Sequence, residues 1–159
     1  MLNRTNVSGQ PLSILLIEDN PAHAELVKRS FQEHSVDYQI IHLPDGVEAL
    51  EYLFQRGAYA DKRKHPRPHF ILLDLRLPRL DGLDVLRQIK TADEEALRRI
   101  PVVILTTSEA EQDLTQAYDR HANSYVIKPL NFEGFTALMD DLGCYWRQWN
   151  YYPWSQEIF

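Results

Sequence analysis

The sequence predicts an α/β domain built on a doubly wound, five-stranded parallel sheet, and three observations carry that prediction. Short β-branched runs alternate with longer segments of helical period, the pattern of parallel strands joined by crossover helices. Most of the runs are almost continuously apolar, as strands covered by helices on both faces must be. Polar, chemistry-bearing residues stand where four of the runs stop: Glu18 and Asp19, Asp74, Thr106, and Lys128. The carboxyl ends of the strands in an open α/β sheet form the edge where ligands bind, so these residues are expected to share one edge.

The elements follow in order. The first strand is expected from Ile14 to Glu18, and Asn20 caps the next helix with Pro21 at its first position, where a missing amide proton costs nothing. Ala24, Val27 and Phe31 share one face of that helix and form an inward apolar stripe. Tyr38 to Leu43 is the second strand, and Asp45 with Glu48 has capping-box spacing for the second helix. Gln55 to His69 is longer and more polar than most helix-to-strand connections, so it is either an excursion with a role or a flexible insertion. Phe70 to Asp74 is the third strand, Asp81-Gly82 a turn, and Leu83, Leu86 and Ile89 the stripe of the third helix. The fourth strand runs from Val102 to Leu105, and Ser108 with Glu111 has capping-box spacing for a helix reaching Asp119. Tyr125 to Ile127 completes the sheet, and Asn131 caps the last helix.

Size and charge narrow the function classes. A chain of 159 residues holds one full-sized core but not two ordinary ones. The expected division is a flexible amino terminus (1–10), the α/β domain (11–145) and an aromatic C-terminal extension (146–159). A net charge of -6, with no helix lined by Lys and Arg, argues against nucleic-acid binding; the basic stretch Lys62 to Arg67, beside Pro66 and Pro68, reads as a solvated loop. The single cysteine, Cys144, has no internal disulfide partner and no metal spacing around it, and reads as a small buried hydrophobe in a reducing compartment. No apolar run approaches the roughly 18 residues needed to span a bilayer, and residues 1–10 lack the apolar core of a signal peptide. The expectation is a cytoplasmic protein with neither membrane nor nucleic-acid partners.

The strand-end residues carry the chemistry. Carboxylates converging at one edge repel one another and gain proton affinity unless a cation sits among them. Mg2+ suits such a set, because it is hard, prefers oxygen and keeps waters that a phosphate oxygen can replace. Asp19 and Asp74 are the expected direct ligands, Glu18 acts directly or through water, and the backbone carbonyl of Arg76 completes the protein's share. A carboxylate placed beside the metal is also a nucleophile for phosphoryl groups, which gives Asp74 a second role. Lys128 and the Thr106 hydroxyl are placed to hold the remaining phosphoryl oxygens. Taken singly, each residue has a plainer explanation: a lone Asp after a strand is ordinarily a turn or cap residue, and Tyr125 alone reads as core. His23 reads as a first-turn helix residue despite the nearby acidic pair. His65 and His69 are four apart, but Pro66 and Pro68 prevent one helical metal-binding face.

Four motifs stand in order: Ile17-Glu18-Asp19-Asn20, Leu73-Asp74-Leu75-Arg76-Leu77-Pro78 with Asp81-Gly82, Val103-Ile104-Leu105-Thr106, and Tyr125-Val126-Ile127-Lys128-Pro129. With them the chain, from about Leu12 to Tyr145, resembles a response-regulator receiver domain. The resemblance implies a flavodoxin-like sheet of order 2-1-3-4-5. It implies that Asp74 takes a phosphoryl group from a histidine kinase, that Glu18 and Asp19 hold Mg2+, and that Lys128, often preceding a cis proline in this family, contacts the phosphate. It further implies that Thr106 moves to meet the phosphoryl group, that Tyr125 turns inward with it, and that the altered face around the Ser108 to Asp119 helix reads out the change as a population shift.

The Asn20-Pro21-Ala22 start, the long loop before the third strand and the aromatic extension look like the small response regulators serving cyanobacterial phytochrome kinases. No segment after Tyr145 could form an output domain, so a stand-alone receiver signalling by contact with a downstream protein is expected. Receivers of that group tend to pair through the last two helices and the last strand. Trp and Tyr are enriched in interface cores, and Trp146, Trp149, Tyr152 and Trp154 are the candidates for a homodimer interface; the alternative is that the tail folds back across its own subunit. Two other classes compete: a receiver-shaped adaptor that works without phosphorylation, and a phosphatase with an aspartyl intermediate. Arg76, two positions beyond Asp74, stands where a haloacid-dehalogenase type phosphatase has a second Asp and argues against the latter.

Overall fold

Each predicted apolar run forms a strand in the structure, a computed structural model that describes residues 12–32 and 38–151. The strands are β1 (Leu12–Ile17), β2 (Tyr38–Leu43), β3 (Phe70–Leu73), β4 (Val102–Thr106) and β5 (Ser124–Ile127). All are parallel in the order β2-β1-β3-β4-β5. The helices are α1 (Pro21–Gln32), α2 (Gly46–Leu53), α3 (Gly82–Lys90), the one-turn α4 (Glu95–Arg98), α5 (Glu111–Asp119) and α6 (Phe132–Cys144), followed by a π-helical turn over Tyr145–Trp149.

Alternation along the strands divides the core into two layers. Leu15, Ile17, Ile71, Leu73 and Ile104 point to one face and meet Leu53 of α2, Leu83, Leu86 and Ile89 of α3, and Ala117 of α5. Ile14, Leu16, Phe70, Leu72, Val103 and Leu105 point to the other and meet Ala24, Val27 and Phe31 of α1 and Phe135 and Met139 of α6. Burial on both faces explains why these runs lack polar alternation. Register then aligns the strand ends. Ile17 pairs with Leu43 and Leu73, and Thr106 with Ile127, so the residues that follow emerge side by side at one edge.

Three of the expected caps form: Asn20 accepts from the amides of Ala22 and His23, Asp45 from Glu48, and Asn131 from Gly134. Ser108 does not cap α5. That helix starts at Glu111 with Ala110 before it, while the Ser108 hydroxyl accepts from the Ala110 amide and donates to Asp113. The 55–69 loop is tied down: Tyr52 donates its hydroxyl to the Pro66 carbonyl, Tyr59 to Glu48, and Arg67 reaches both the Leu53 carbonyl and Glu94. The rings of Tyr59 and His65 in this loop and of Tyr52 on α2 meet edge to face. Cys144 is half-buried rather than buried, and all peptide bonds among the described residues are trans, including Lys128–Pro129.

Trp146 requires a correction. It is 6% exposed and stacks on Phe70 of β3 with ring centroids 4.7 Å apart, so it closes the α1–α6 layer of its own chain and offers no face to a second copy. Trp149, at 62%, is exposed. Residues 1–10, Tyr152 and Trp154 lie outside the described residues.

Candidate functional site

The site is assembled by the loops that leave β1, β3 and β5. After Ile17 the chain stays paired for one more residue, with the Glu18 amide donating to the Leu43 carbonyl, and the Asn20 amide then donates to the Glu18 carboxylate. After Leu73 the Asp74 amide donates to the Ile17 carbonyl, which holds Asp74 beside Glu18. The Asp74 carboxylate is oriented by its own loop: Oδ1 accepts from the Leu75 amide at 2.7 Å and the Arg76 amide at 3.4 Å. Gly82 closes this loop, its amide donating to the Leu75 carbonyl. A Cβ there would lie 2.2 Å from the Asp74 carbonyl oxygen, so only glycine permits the approach.

Glu18, Asp19 and Asp74 each place a carboxylate oxygen within 4.8 Å of the others. Glu18 and Asp74 are buried and Asp19 is exposed, so the cluster opens to solvent on one side. Lys128 comes from the end of β5, its amide donating to the Thr106 carbonyl, and its buried ammonium donates to Glu18 Oε2 at 2.6 Å and Asp74 Oδ2 at 3.0 Å. Even with this partner, burial raises the Glu18 carboxyl from its usual 4.5 to about 7, with the Asp74 charge adding to the rise and Lys128 opposing it. Three carboxylates thus share one buried lysine, and burial is the main reason Glu18 keeps its proton.

The sequence overlooked one member of this group. His23, on the first turn of α1, places Nδ1 3.1 Å from the Lys128 ammonium and 3.7 Å from Glu18 Oε1. Burial, and then the Lys128 charge, lower its proton affinity. Its position four residues after Asp19, three past the capping Asn20, was the available signal.

Thr106 and Tyr125 join a second, adjoining set of hydrogen bonds. Thr106 is fully buried at the end of β4 and its hydroxyl oxygen accepts from the Ser108 amide at 3.3 Å. The Tyr125 hydroxyl donates to the Ser108 carbonyl at 2.9 Å. The Ser108 hydroxyl and the Arg76 guanidinium both donate to Asp113 Oδ2 at 2.6 Å, so a residue two past Asp74 is tied to α5. Asp113 carried no functional expectation, because its partners come from two separate loops, those after β3 and β4.

The response regulator receiver domain model matches residues 14–140. This chain belongs to that family. A probable methanogenesis regulatory protein, FilR2 of Methanothrix harundinacea, is 48% identical over 90% of this chain and 88% of its own length. The response regulator Rcp1 of Synechocystis is 40% identical over 89% of this chain and 92% of its own, and its Mn2+-bound crystal structure superposes with a TM-score of 0.83. The crystal structure of the phosphorylated cyanobacterial phytochrome response regulator RcpA gives a TM-score of 0.85 at 36% identity, covering 91% of this chain and all of that one. The receiver family and its sheet order are thereby established, and receivers are signalling proteins rather than enzymes acting on outside substrates. No helix among the described residues is long and apolar enough to cross a membrane.

Proposed function

We propose that this receiver accepts a phosphoryl group on Asp74, with Mg2+ held by Glu18, Asp19, Asp74 and the Arg76 carbonyl, and signals by protein contact. The observation that carries the reading is the convergence of three carboxylates within 4.8 Å around which Lys128 is the buried cation. The donor set fits a hard divalent ion: every candidate side-chain ligand is a carboxylate oxygen, and one of them is exposed. Such an ion, when bound, neutralises charge on a transferring phosphoryl group.

The chain's own residues do the remaining work. The Leu75 and Arg76 amides fix one carboxylate oxygen of Asp74, which limits the orientations available for attack. An Asp74 oxygen forms the new bond to phosphorus as the donor's bond breaks and its leaving group departs with the electron pair. Lys128, already seated on Asp74, takes a phosphoryl oxygen as the charge there grows. The Thr106 hydroxyl, released from the Ser108 amide, takes another, and Tyr125 follows because its hydroxyl is bonded to the Ser108 carbonyl. That rearrangement changes the α5 face.

The donor on this reading is a histidine kinase of phytochrome type, supported by the likeness to Rcp1 and RcpA over most of the chain. The output is contact with a downstream protein and pairing of two copies through α5, β5 and α6 in the cytoplasm. Exposed Leu114, Tyr118 and Ile127 on these elements, with Trp149 beyond them, support that face; Tyr152 and Trp154 remain candidates by sequence. The test is incubation with a small phosphodonor and Mg2+, followed by intact mass. A gain of one phosphoryl group, lost in Asp74→Asn, supports the reading; no gain under any condition supports the adaptor instead.

A further inference from the structure

We infer that His23 is a positioning residue for the phosphoryl-accepting site, holding the Lys128 ammonium in place through its Nδ1. An ammonium has three N–H donors and no acceptor capacity. In Lys128 those donors have three partners: Glu18 Oε2 at 2.6 Å, Asp74 Oδ2 at 3.0 Å and His23 Nδ1 at 3.1 Å. The two carboxylates lie on the β1 and β3 loops, and His23 supplies a third anchor from α1.

That third anchor matters when Asp74 becomes phosphorylated. Lys128 must then exchange a contact with the Asp74 carboxylate for a phosphoryl oxygen, which leaves Glu18 and His23 to hold its position. For Nδ1 to accept from an ammonium, the imidazole carries its single proton on Nε2. The ring is itself held: it stands 6.1 Å, centroid to centroid, from Phe135 at the start of α6, and its backbone amide is capped by Asn20. The cap sets the His23 backbone, and a side chain there without an acceptor would leave the third ammonium donor unpaired.

The kinetic arm of the test rests on the phosphoryl-transfer reading; the spectroscopic arm does not. Nitrogen-15 spectra of the lysine side chains, with Lys128→Met for assignment, are expected to show a Lys128 ammonium signal protected from exchange in the wild type. The signal is expected to vanish in His23→Ala and to return in His23→Asn, whose Oδ1 occupies the place of Nδ1. Phosphoryl uptake from a small donor is expected to slow about tenfold in His23→Ala and recover in His23→Asn, the scale of one hydrogen bond to a charged group. Lack of a protected signal in the wild type, an unchanged signal in His23→Ala, or no recovery in His23→Asn would overturn the inference. So would uptake at the wild-type rate by His23→Ala. If the wild type takes no phosphate while the signal responds as expected, the functional reading fails and the positioning role stands.

Discussion

Lys128→Met removes the buried cation from the carboxylate cluster while keeping a chain of similar length, and its cost follows from the geometry. The ammonium is 2% exposed, and its partners Glu18 and Asp74 are 2% and 11% exposed at the side chain. Breaking a buried pair by deleting one partner costs about 3–5 kcal/mol, because the remaining charge stays desolvated. Protonation of Glu18 relieves part of that cost, which places the expected loss near the lower end at neutral pH. For a domain of this size each kcal/mol lowers Tm by roughly 2–4 °C, so a fall of at least about 6 °C is expected.

The loss also depends on pH, and its sign is fixed. Glu18 has a folded-state pKa raised from 4.5 to about 7, so the folded form binds more protons than the unfolded form in that window. Stability from this group is therefore present at low pH and lost as pH rises through the folded value. Removing Lys128 deletes both influences that lower the Glu18 value and extends the loss to higher pH. Thermal unfolding followed by circular dichroism is expected to show a larger deficit at about pH 8 than at about pH 5, with millimolar Mg2+ restoring part of it. A Tm within about 2 °C of wild type at both values would refute the assignment of Lys128 as the neutralising cation.

Trp146→Ala is expected to cost about 3–5 kcal/mol in urea unfolding, while Trp149→Ala stays within about 0.5 kcal/mol; the reverse order would contradict the packing of Trp146 on Phe70. His69 has its proton affinity lowered by burial, so its contribution is present above the unfolded value of 6.5 and lost as pH falls through the lower folded one. His69→Gln is expected to flatten the stability profile just below pH 6.5, and an unchanged slope would exclude the residue as its source. Gly82→Ala forces a methyl group against the Asp74 carbonyl and is expected to cost about 1–3 kcal/mol and slow phosphoryl uptake. Wild-type stability together with wild-type uptake would show that the loop yields freely.

The sheet was legible because double-sided burial leaves nearly unbroken apolar runs, and the site was legible because a parallel sheet delivers its strand ends to one edge. Glu18, Asp19, Asp74 and Lys128 could be named together on that ground alone. Contacts that depend on side-chain direction between distant segments were not legible. His23 looked like an ordinary helix residue because nothing local shows that α1 turns it toward β5. The expectation that Ser108 caps a helix rested on spacing, but α5 starts later, at Glu111, and the Ser108 hydroxyl bonds Asp113, which the distant Arg76 also holds. Trp146 was placed at an interface by composition, whereas the open face of β3 at Phe70 claimed it. The one turn of α4 is too short for periodicity to reveal.

The central claim is that Asp74 is the phosphoryl acceptor of a metal-dependent switch. Intact-mass analysis after incubation with acetyl phosphate, with Mg2+ and with a chelator, tests it most directly. The account predicts a gain of one phosphoryl group that requires the metal and disappears in Asp74→Asn. A modification that persists in Asp74→Asn, or that forms equally well in chelator, would contradict it.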